Sequence, residues 1–321
     1  MASSEKPGLL ISFGGNALNV AEAPPSHQKE EFAVARKSLQ GVIALLKAGY
    51  GTLALCHGNG PQVGQIFLQQ ELTRHDFPRQ ITLDVCVADS QGRIGYILQN
   101  TLDNLCREQG VNKRALAVIT QVLVDADDPA FKKPTKPIGL FYSKAEADAL
   151  MRDRGWVMME DAGRGYRRVV ASPAPREIIE IDRFREILSK GIILIGGGGG
   201  GVPVVRTEDG GLSGVEAVID KDFTSALIAR ELKLDWLVIL TGVDRVYRNF
   251  NSGDAVPIDH ATADEMELLL AAGEFAEGSM KPKVAAAIQF LRAGGKRAVI
   301  AHLNDLVAAV QGKVGTHIVL E

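Results

Sequence analysis

A run of six glycines, Gly196 to Gly201, is the feature that most limits what this chain can become. It follows the apolar run Ile192 to Ile195 and leads straight into Val202, Pro203, Val204 and Val205. Flexible linkers pair glycine with serine and polar neighbours, whereas this tract is clamped between apolar segments. A short β-branched run such as Ile192 to Ile195 reads as a strand buried on both faces. Glycine beyond it permits φ > 0 and lets backbone N–H groups approach an anion with no Cβ in the way. The expectation is a phosphate-facing turn at the end of a strand in a parallel sheet, with Gly198 and Gly199 among its contacts.

The same design recurs twice near the start of the chain. Leu9 to Phe13 reads as a buried strand ending in Gly14, Gly15 and Asn16, and Thr52 to Cys56 as another, followed by His57, Gly58, Asn59 and Gly60. Between them Ala35, Leu39, Val42, Ile43 and Leu46 fall at helical spacing, closed by Gly49. Further helices are expected over 91–109, 177–190, 221–232, 263–272 and 280–293. Strands are expected over 115–124, 236–240, 298–301 and 317–320. This alternation describes an α/β fold with a mostly parallel sheet covered on both faces. From Asp125 to about Pro175 the chain turns proline-rich, charged and aromatic. That stretch reads as a small inserted subdomain with short strands and one helix, 143–152, capped by Ser143 with Glu146 three residues on.

Composition narrows the function. With 321 residues, 46% hydrophobic, 23% charged and a net charge of −3, the chain carries no electrostatic footprint for nucleic acid or anionic membrane. No apolar run reaches the roughly 18 residues that a membrane span needs, and the N-terminus lacks a signal-peptide core. Cys56, Cys86 and Cys106 form no ligand pattern, and the six histidines are scattered, so no protein metal site is expected. Reduced cysteines and the absence of a leader point to the cytoplasm.

Neither the P-loop pattern nor a dinucleotide GxGxxG followed by an acidic residue is present. Three strand-to-glycine turns therefore suggest a phosphate-binding site of another kind. Asp220, Lys221 and Asp222 fall at a helix start, where acids suit the helix dipole but lysine does not. Lys221 is better explained by a polyphosphate in front of it, with Asp222 orienting the lysine or a second cation. Lys283, after Pro282 at the expected first helical position, repeats the arrangement; a solvated basic turn is the alternative. Lys136 is held between Pro134 and Pro137, a pattern that also suits a plain surface turn. His57 reads as a structural hydrogen-bonding residue rather than a base, and Trp156 and Tyr166 as subdomain core.

Taken together, Phe13-Gly-Gly-Asn-Ala17, His57-Gly-Asn-Gly-Pro-Gln-Val-Gly64, Pro134-Thr-Lys-Pro137, Glu160-Asp-Ala-Gly-Arg-Gly-Tyr166, Val215-Glu-Ala-Val-Ile-Asp-Lys-Asp222, Leu240-Thr-Gly-Val-Asp244 and Gly278-Ser-Met-Lys-Pro-Lys283 closely resemble the carbamate kinases of the amino acid kinase superfamily. The match runs in order from about residue 9 to 319. Phe13, Tyr166, Ala171 and Lys281 depart from the usual pattern, and none of these changes removes a residue that the chemistry needs.

The resemblance implies an open αβα sandwich, residues 1–321 forming one amino acid kinase-type domain. Within it, 1–125 and about 176–200 would form a carbamate-binding lobe that also dimerises, 126–175 a protruding subdomain, and about 201–321 a nucleotide-binding lobe. Gly14, Gly15, Asn16, Gly58, Asn59 and Gly60 would surround the transferring phosphoryl and carbamoyl groups. Lys136, Lys221 and Lys283 would supply positive charge, organised by Asp222; Gly242, Val243, Asp244 and Met280 would line the nucleotide. The implied reaction is reversible transfer between ATP and carbamate, giving ADP and carbamoyl phosphate, with Mg2+ carried on the nucleotide. It would serve arginine or other nitrogen catabolism in a cytoplasmic homodimer. Two alternatives remain open at this point: a kinase for a larger acceptor, such as an N-acylated amino acid or a nucleotide, and a nucleotide sensor without turnover.

Overall fold

Short apolar strands, buried on both faces, organise the molecule. A computed structural model describes residues 6–14, 29–79, 81–161, 163–250, 254–276 and 278–321. Gly15 and Asn16, two of the expected site residues, lie outside the described residues. β1 (Leu9–Phe13) is buried along its whole length. It is followed by α1 (Lys29–Lys47), β2 (Leu53–His57) and α2 (Gly60–Leu72). The next helix, α3 (Leu83–Glu108), begins eight residues before the expected start at 91. Its added turns are anchored by Leu83 N–H donating to the Glu216 carboxylate at 2.9 Å, a contact that helical periodicity cannot reveal.

The single strand expected over 115–124 is two strands, β3 (Ala115–Ala117) and β4 (Gln121–Val124), which belong to different sheets. The buried amide of Gln91 stands at the break, accepting from Thr120 N–H at 2.7 Å and donating to Thr120 O at 3.2 Å. The proline-rich stretch contains β5 (Lys136–Tyr142), α4 (Lys144–Arg154), β6 (Met158–Glu160) and β7 (Tyr166–Val170). Ser143 caps α4 in a reciprocal capping box with Glu146. Next, β8 (Pro175–Ile178) takes the first two residues of the helix expected over 177–190, leaving α5 as Ile181–Ser189.

The second half runs β9 (Ile193–Ile195), β10 (Val202–Arg206), β11 (Leu212–Gly214), α6 (Lys221–Glu231), β12 (Trp236–Thr241), β13 (Val246–Arg248), β14 (Val256–Ile258) and β15 (His260–Thr262). It closes with α7 (Ala263–Ala271), α8 (Met280–Arg292), β16 (Arg297–His302), α9 (Leu306–Val310) and β17 (Thr316–Val319). Ser279 is the N-cap of α8, so Pro282 is the third helical residue rather than the first. It still falls in the turn whose N–H groups have no intrahelical acceptor, where proline is tolerated.

Eight strands form the main sheet, in the order β15-β17-β16-β12-β1-β2-β9-β3. All its pairs are parallel except β16 with β17. Successive residues of a strand face opposite sides. Leu9, Ile11 and Phe13 accordingly join one core with Leu39 and Ile43 of α1 and Leu98 and Leu102 of α3. Leu10 faces the other core, with Ile228 of α6 and Leu291 of α8. Ser12 is on that second face, a polar residue in an otherwise apolar strand, and it is fully buried.

The central strands set the location of the site. β1 lies between β2 and β12, with Phe13 opposite both His57 and Leu240. Leu55 of β2 is opposite Ile195 of β9. The chain therefore leaves four neighbouring parallel strands at one edge of the sheet, and three of these strands are followed directly in sequence by the glycines noted above. Successive connections from β1 go to β2 on one side, while β12 starts the sheet on the other. In open α/β sheets a ligand crevice forms beyond the carboxyl ends at such a reversal.

Candidate functional site

Glycine conformation and packing shape the floor of this crevice. In the turn after β9, Gly197, Gly199, Gly200 and Gly201 have φ of 66°, 65°, 95° and 92°, values that L side chains rarely adopt. Space excludes side chains as well: a Cβ on Gly199 would lie 2.0 Å from Asn59 Nδ2, and one on Gly198 2.3 Å from His57 Nε2. The turn's carbonyls are held by neighbouring elements. Cys56 Sγ donates to Gly197 O at 3.1 Å, Gln91 Nε2 to Gly198 O at 2.9 Å, and Thr224 Oγ1 to Gly200 O at 2.7 Å. Gly197 N–H donates to Thr120 Oγ1, and those of Gly200 and Gly201 donate within the turn. The N–H groups of Gly198 and Gly199 have no protein acceptor among the described residues. Asn59 is buried beneath Gly199 and donates through Nδ2 to Ser90 Oγ at 2.8 Å.

Gly14 N–H donates to Leu240 O and Gly58 N–H to Phe13 O, so these two glycines splice the ends of β1, β2 and β12 together. Gly60 opens α2 with Asn59 as its N-cap, which directs the first helical N–H groups toward the crevice edge. Adjacent His57 is 2% exposed, and its Nδ1 donates to Gly58 O at 3.1 Å. Burial pushes its pKa down to about 4, partly countered by that hydrogen bond and reinforced by the Lys221 charge. A neutral, enclosed imidazole is a structural group here, in line with the sequence reading.

Above this floor lie three lysines and two carboxylates. Asp220 caps α6, its Oδ1 accepting from Asp222 N–H at 2.9 Å. Lys221 and Asp222 are consequently fixed on the first turn of the helix, pointing back to the end of β1. Lys221 Nζ donates to Asp222 Oδ1 at 2.5 Å and to Ser12 Oγ at 2.9 Å, while Ser225 Oγ donates to Ser12 at 3.1 Å. Lys283, from the first turn of α8, donates to the other oxygen of Asp222 at 3.0 Å and to Ser279 O at 3.3 Å. Lys136, at the start of β5, donates to Asp220 Oδ2 at 2.6 Å.

Burial alone would push the Asp222 carboxyl up, but the ammonium groups of Lys221 and Lys283 outweigh it and hold the group well below the usual carboxylate range. Burial likewise pushes Lys221 down, and the Asp222 charge and hydrogen bond more than reverse this. Lys221 therefore remains cationic at neutral pH despite its burial. An ammonium has three donors, so Lys221 and Lys283 each retain one beyond the contacts just described, and Lys136 retains two. With three cations and two anions, the cluster has one positive charge in excess and spare donors beside unpaired glycine amides. That combination can receive a polyphosphate.

Gly242, Val243 and Asp244 leave the end of β12 along the same edge of the sheet. Asp244 is tied locally, accepting from Arg245 Nε at 3.0 Å and Tyr247 OH at 2.9 Å. It makes no contact with the lysine cluster among the described residues. Met280 is the first residue of α8 and partly buried, three positions from Lys283. Trp156, in the link between α4 and β6, packs against Phe67 of α2, with the Arg168 guanidinium 4.8 Å from its ring centre and 4.4 Å from that of Phe67.

Sequence reasoning did not single out Ser12, Ser225, Gln91 or the partnership of Asp220 with Lys136. Ser12 had a signal, a hydroxyl in the middle of a five-residue buried strand. Gln91 and Asp220 had only their places near helix starts, and their partners are remote in sequence.

These features define an α/β protein whose central strands end at a glycine-floored crevice with a lysine cluster. The sequence profile of the amino acid kinase family matches residues 8–302, and the chain belongs to that family. A carbamate kinase of Pyrococcus horikoshii is 43% identical over 312 residues, covering 97% of this chain and 98% of its own. Carbamate kinase 3 of Staphylococcus aureus is 43% identical over 310 residues, covering 96% and 98%. Among solved structures, the carbamate kinase from Giardia lamblia bound to AMP-PNP superposes with a TM-score of 0.89 at 39% identity, over 98% of each chain. Within the family, this chain stands with the carbamate kinases.

Proposed function

We propose that the protein catalyses reversible phosphoryl transfer between carbamoyl phosphate and ADP, forming carbamate and ATP. The observation that carries this reading is the cluster of Lys136, Lys221 and Lys283 on Asp220 and Asp222, set over the glycine turns at the ends of adjacent parallel strands. Family membership and the near-complete overlap with carbamate kinases support the choice of substrate. That the Giardia lamblia enzyme is bound to AMP-PNP supports an adenine nucleotide as the second substrate.

The chemistry suits these residues. A terminal β-phosphate oxygen of ADP attacks the phosphorus of carbamoyl phosphate; the P–O bond to the carbamoyl group breaks and its electrons leave on carbamate. The leaving group is a carboxylate, and the reverse nucleophile is the same anion, so neither direction requires a general base or acid. A buried, neutral His57 fits that requirement. Phosphoryl transfer depends chiefly on alignment and charge neutralisation. Lys136, Lys221 and Lys283 would supply positive charge to the oxygens of the transferring phosphoryl group, with Gly198 and Gly199 N–H groups donating from below.

Mg2+ would enter with the nucleotide as part of the substrate. Asp222 spends both oxygens on lysines, and no metal-binding group of three or more His, Cys, Asp or Glu residues occurs among the described residues. A cation held by phosphate oxygens and water suits such a site. We further propose a 126–175 subdomain that covers the substrate, a nucleotide-binding lobe over about 201–321 including Gly242, Val243, Asp244 and Met280, a homodimer in solution, and a cytoplasmic role in nitrogen catabolism. No helix among the described residues is long and apolar enough to cross a membrane.

The test is ATP formation from MgADP and carbamoyl phosphate by purified protein, with Lys221→Ala alongside. Wild-type turnover with kcat reduced at least about 100-fold in the variant, the scale for losing one preorganised transition-state donor, is expected. A folded wild type that forms no ATP would remove the substrate assignment; near-normal kcat in the variant would remove the role of Lys221.

A further inference from the structure

We propose that Asp220 is a positioning residue that presents Lys136 to the transferring group; the inference rests on the phosphoryl-transfer reading above and assigns a part to a residue outside the expected set. Asp220 uses its two oxygens differently. Oδ1 accepts from Asp222 N–H at 2.9 Å and caps α6; Oδ2 accepts from Lys136 Nζ at 2.6 Å. The first bond fixes the carboxylate plane, and the plane fixes the direction of the second.

Lys136 and Asp220 are 84 residues apart, on different elements. Lys136 begins β5, paired with Val170 in the three-stranded sheet of β5, β7 and β6. Asp220 begins the helix that carries Lys221 and Asp222. A single carboxylate thus sets the place of the third ammonium relative to the other two. The flanking Pro134 and Pro137 restrict the backbone near Lys136, but its side chain retains four free torsions, and Asp220 is the group that restrains them.

The need for restraint follows from charge. Asp222 already serves Lys221 and Lys283. Without Asp220, three ammonium groups would share one carboxylate. The Lys136 side chain is 28% exposed, against 11% for Lys221 and 16% for Lys283, so it is the one best able to swing into water.

Asp220→Asn separates the two functions of the carboxylate. Asparagine is as good an N-cap as aspartate, so α6 keeps its cap while Lys136 loses its counter-charge. The experiment is a double-mutant cycle of Asp220→Asn and Lys136→Met, read as kcat/KM for carbamoyl phosphate. In parallel, the dissociation constant of inorganic pyrophosphate is measured by calorimetry. Asp220→Asn is expected to lower kcat/KM about 10- to 100-fold, and the double variant to match Lys136→Met alone within about twofold. The pyrophosphate constants should show the same lack of additivity.

A role confined to folding α6 would give effects that multiply in the double variant, and that result overturns the inference. So does an Asp220→Asn variant within twofold of wild type in both readouts. Wild type that binds pyrophosphate with a non-additive cycle but makes no ATP retires the carbamoyl phosphate assignment and leaves the Asp220 role standing. Wild type that neither turns over carbamoyl phosphate nor binds pyrophosphate removes both.

Discussion

Replacing Asp222 by asparagine tests the electrostatics of the cluster most directly. Asp222 is 2% exposed and lies 2.5 Å from one ammonium and 3.0 Å from the other. Unit charges about 4 Å apart interact by about 4 kcal/mol at an effective dielectric of about 20. Two such attractions vanish in Asp222→Asn, and part of that loss is offset when the lysines turn toward water. Removing one partner of a buried ion pair costs about 3–5 kcal/mol, and this is the destabilisation expected. At about 2–4 °C per kcal/mol for a large domain, the melting temperature should fall by roughly 10 °C.

The assay is thermal unfolding at pH 7.5 in low salt, with and without pyrophosphate. An anion that docks between the freed lysines replaces the missing charge, so pyrophosphate should raise the variant's Tm by more than that of wild type. The pH dependence has a definite sign. The folded-state pKa of Asp222 is depressed, so its contribution is present above the unfolded value of about 3.9 and is lost as pH falls through the folded value. The gap between wild type and variant should therefore be full at neutral pH and shrink below about pH 4. A Tm within 2 °C of wild type at pH 7.5, with no extra response to pyrophosphate, would refute the coupling of Asp222 to both lysines.

Two further outcomes follow from the same geometry. Gly199→Ala puts a left-handed residue and a Cβ against the Asn59 side chain, which is itself held by Ser90. A loss of about 2–5 kcal/mol in urea unfolding is expected from backbone strain plus overpacking, and an unchanged midpoint would show that the turn can relax. His57 has its pKa moved from 6.5 to about 4 by burial. Between those values the unfolded chain binds the additional proton, so acidification from about pH 6.5 to about 4 should cost wild type up to about 3 kcal/mol. His57→Gln should flatten that part of the stability profile, and a slope that persists unchanged would place its origin elsewhere.

The local elements were legible because their signals are local. The apolar runs at 9–13 and 236–240 and the stripe of α8 appear as strands and helix where the sequence put them, β12 running one residue further to Thr241. The paired Ser143 and Glu146 form the expected capping box. The reading failed where a distant side chain decides the boundary. Gln91 reaches across to Thr120 where the 115–124 run divides between two sheets, and Glu216 holds the start of α3 from 133 residues away. Pro175–Ile178 is a strand because β4 lies beside it, and nothing in its own spacing says so.

The sequence by itself determined that glycines follow strands in an α/β chain, and that one lysine, Lys221, stands between two aspartates at the start of α6. Its motifs also determined the family, because residues needed at a phosphoryl site fall in recognisable local runs. Only the tertiary structure decided how charge is shared among those runs. Lys283 reaches Asp222 across 61 residues, Lys136 reaches Asp220 across 84, and Lys221 meets a buried serine 209 residues away. Periodicity reports which face of an element is buried, but a contact between elements depends on strand order, register and helix placement. Those are set by the packing of the whole sheet, and they make two adjacent carboxylates the common holders of three lysines from three parts of the chain.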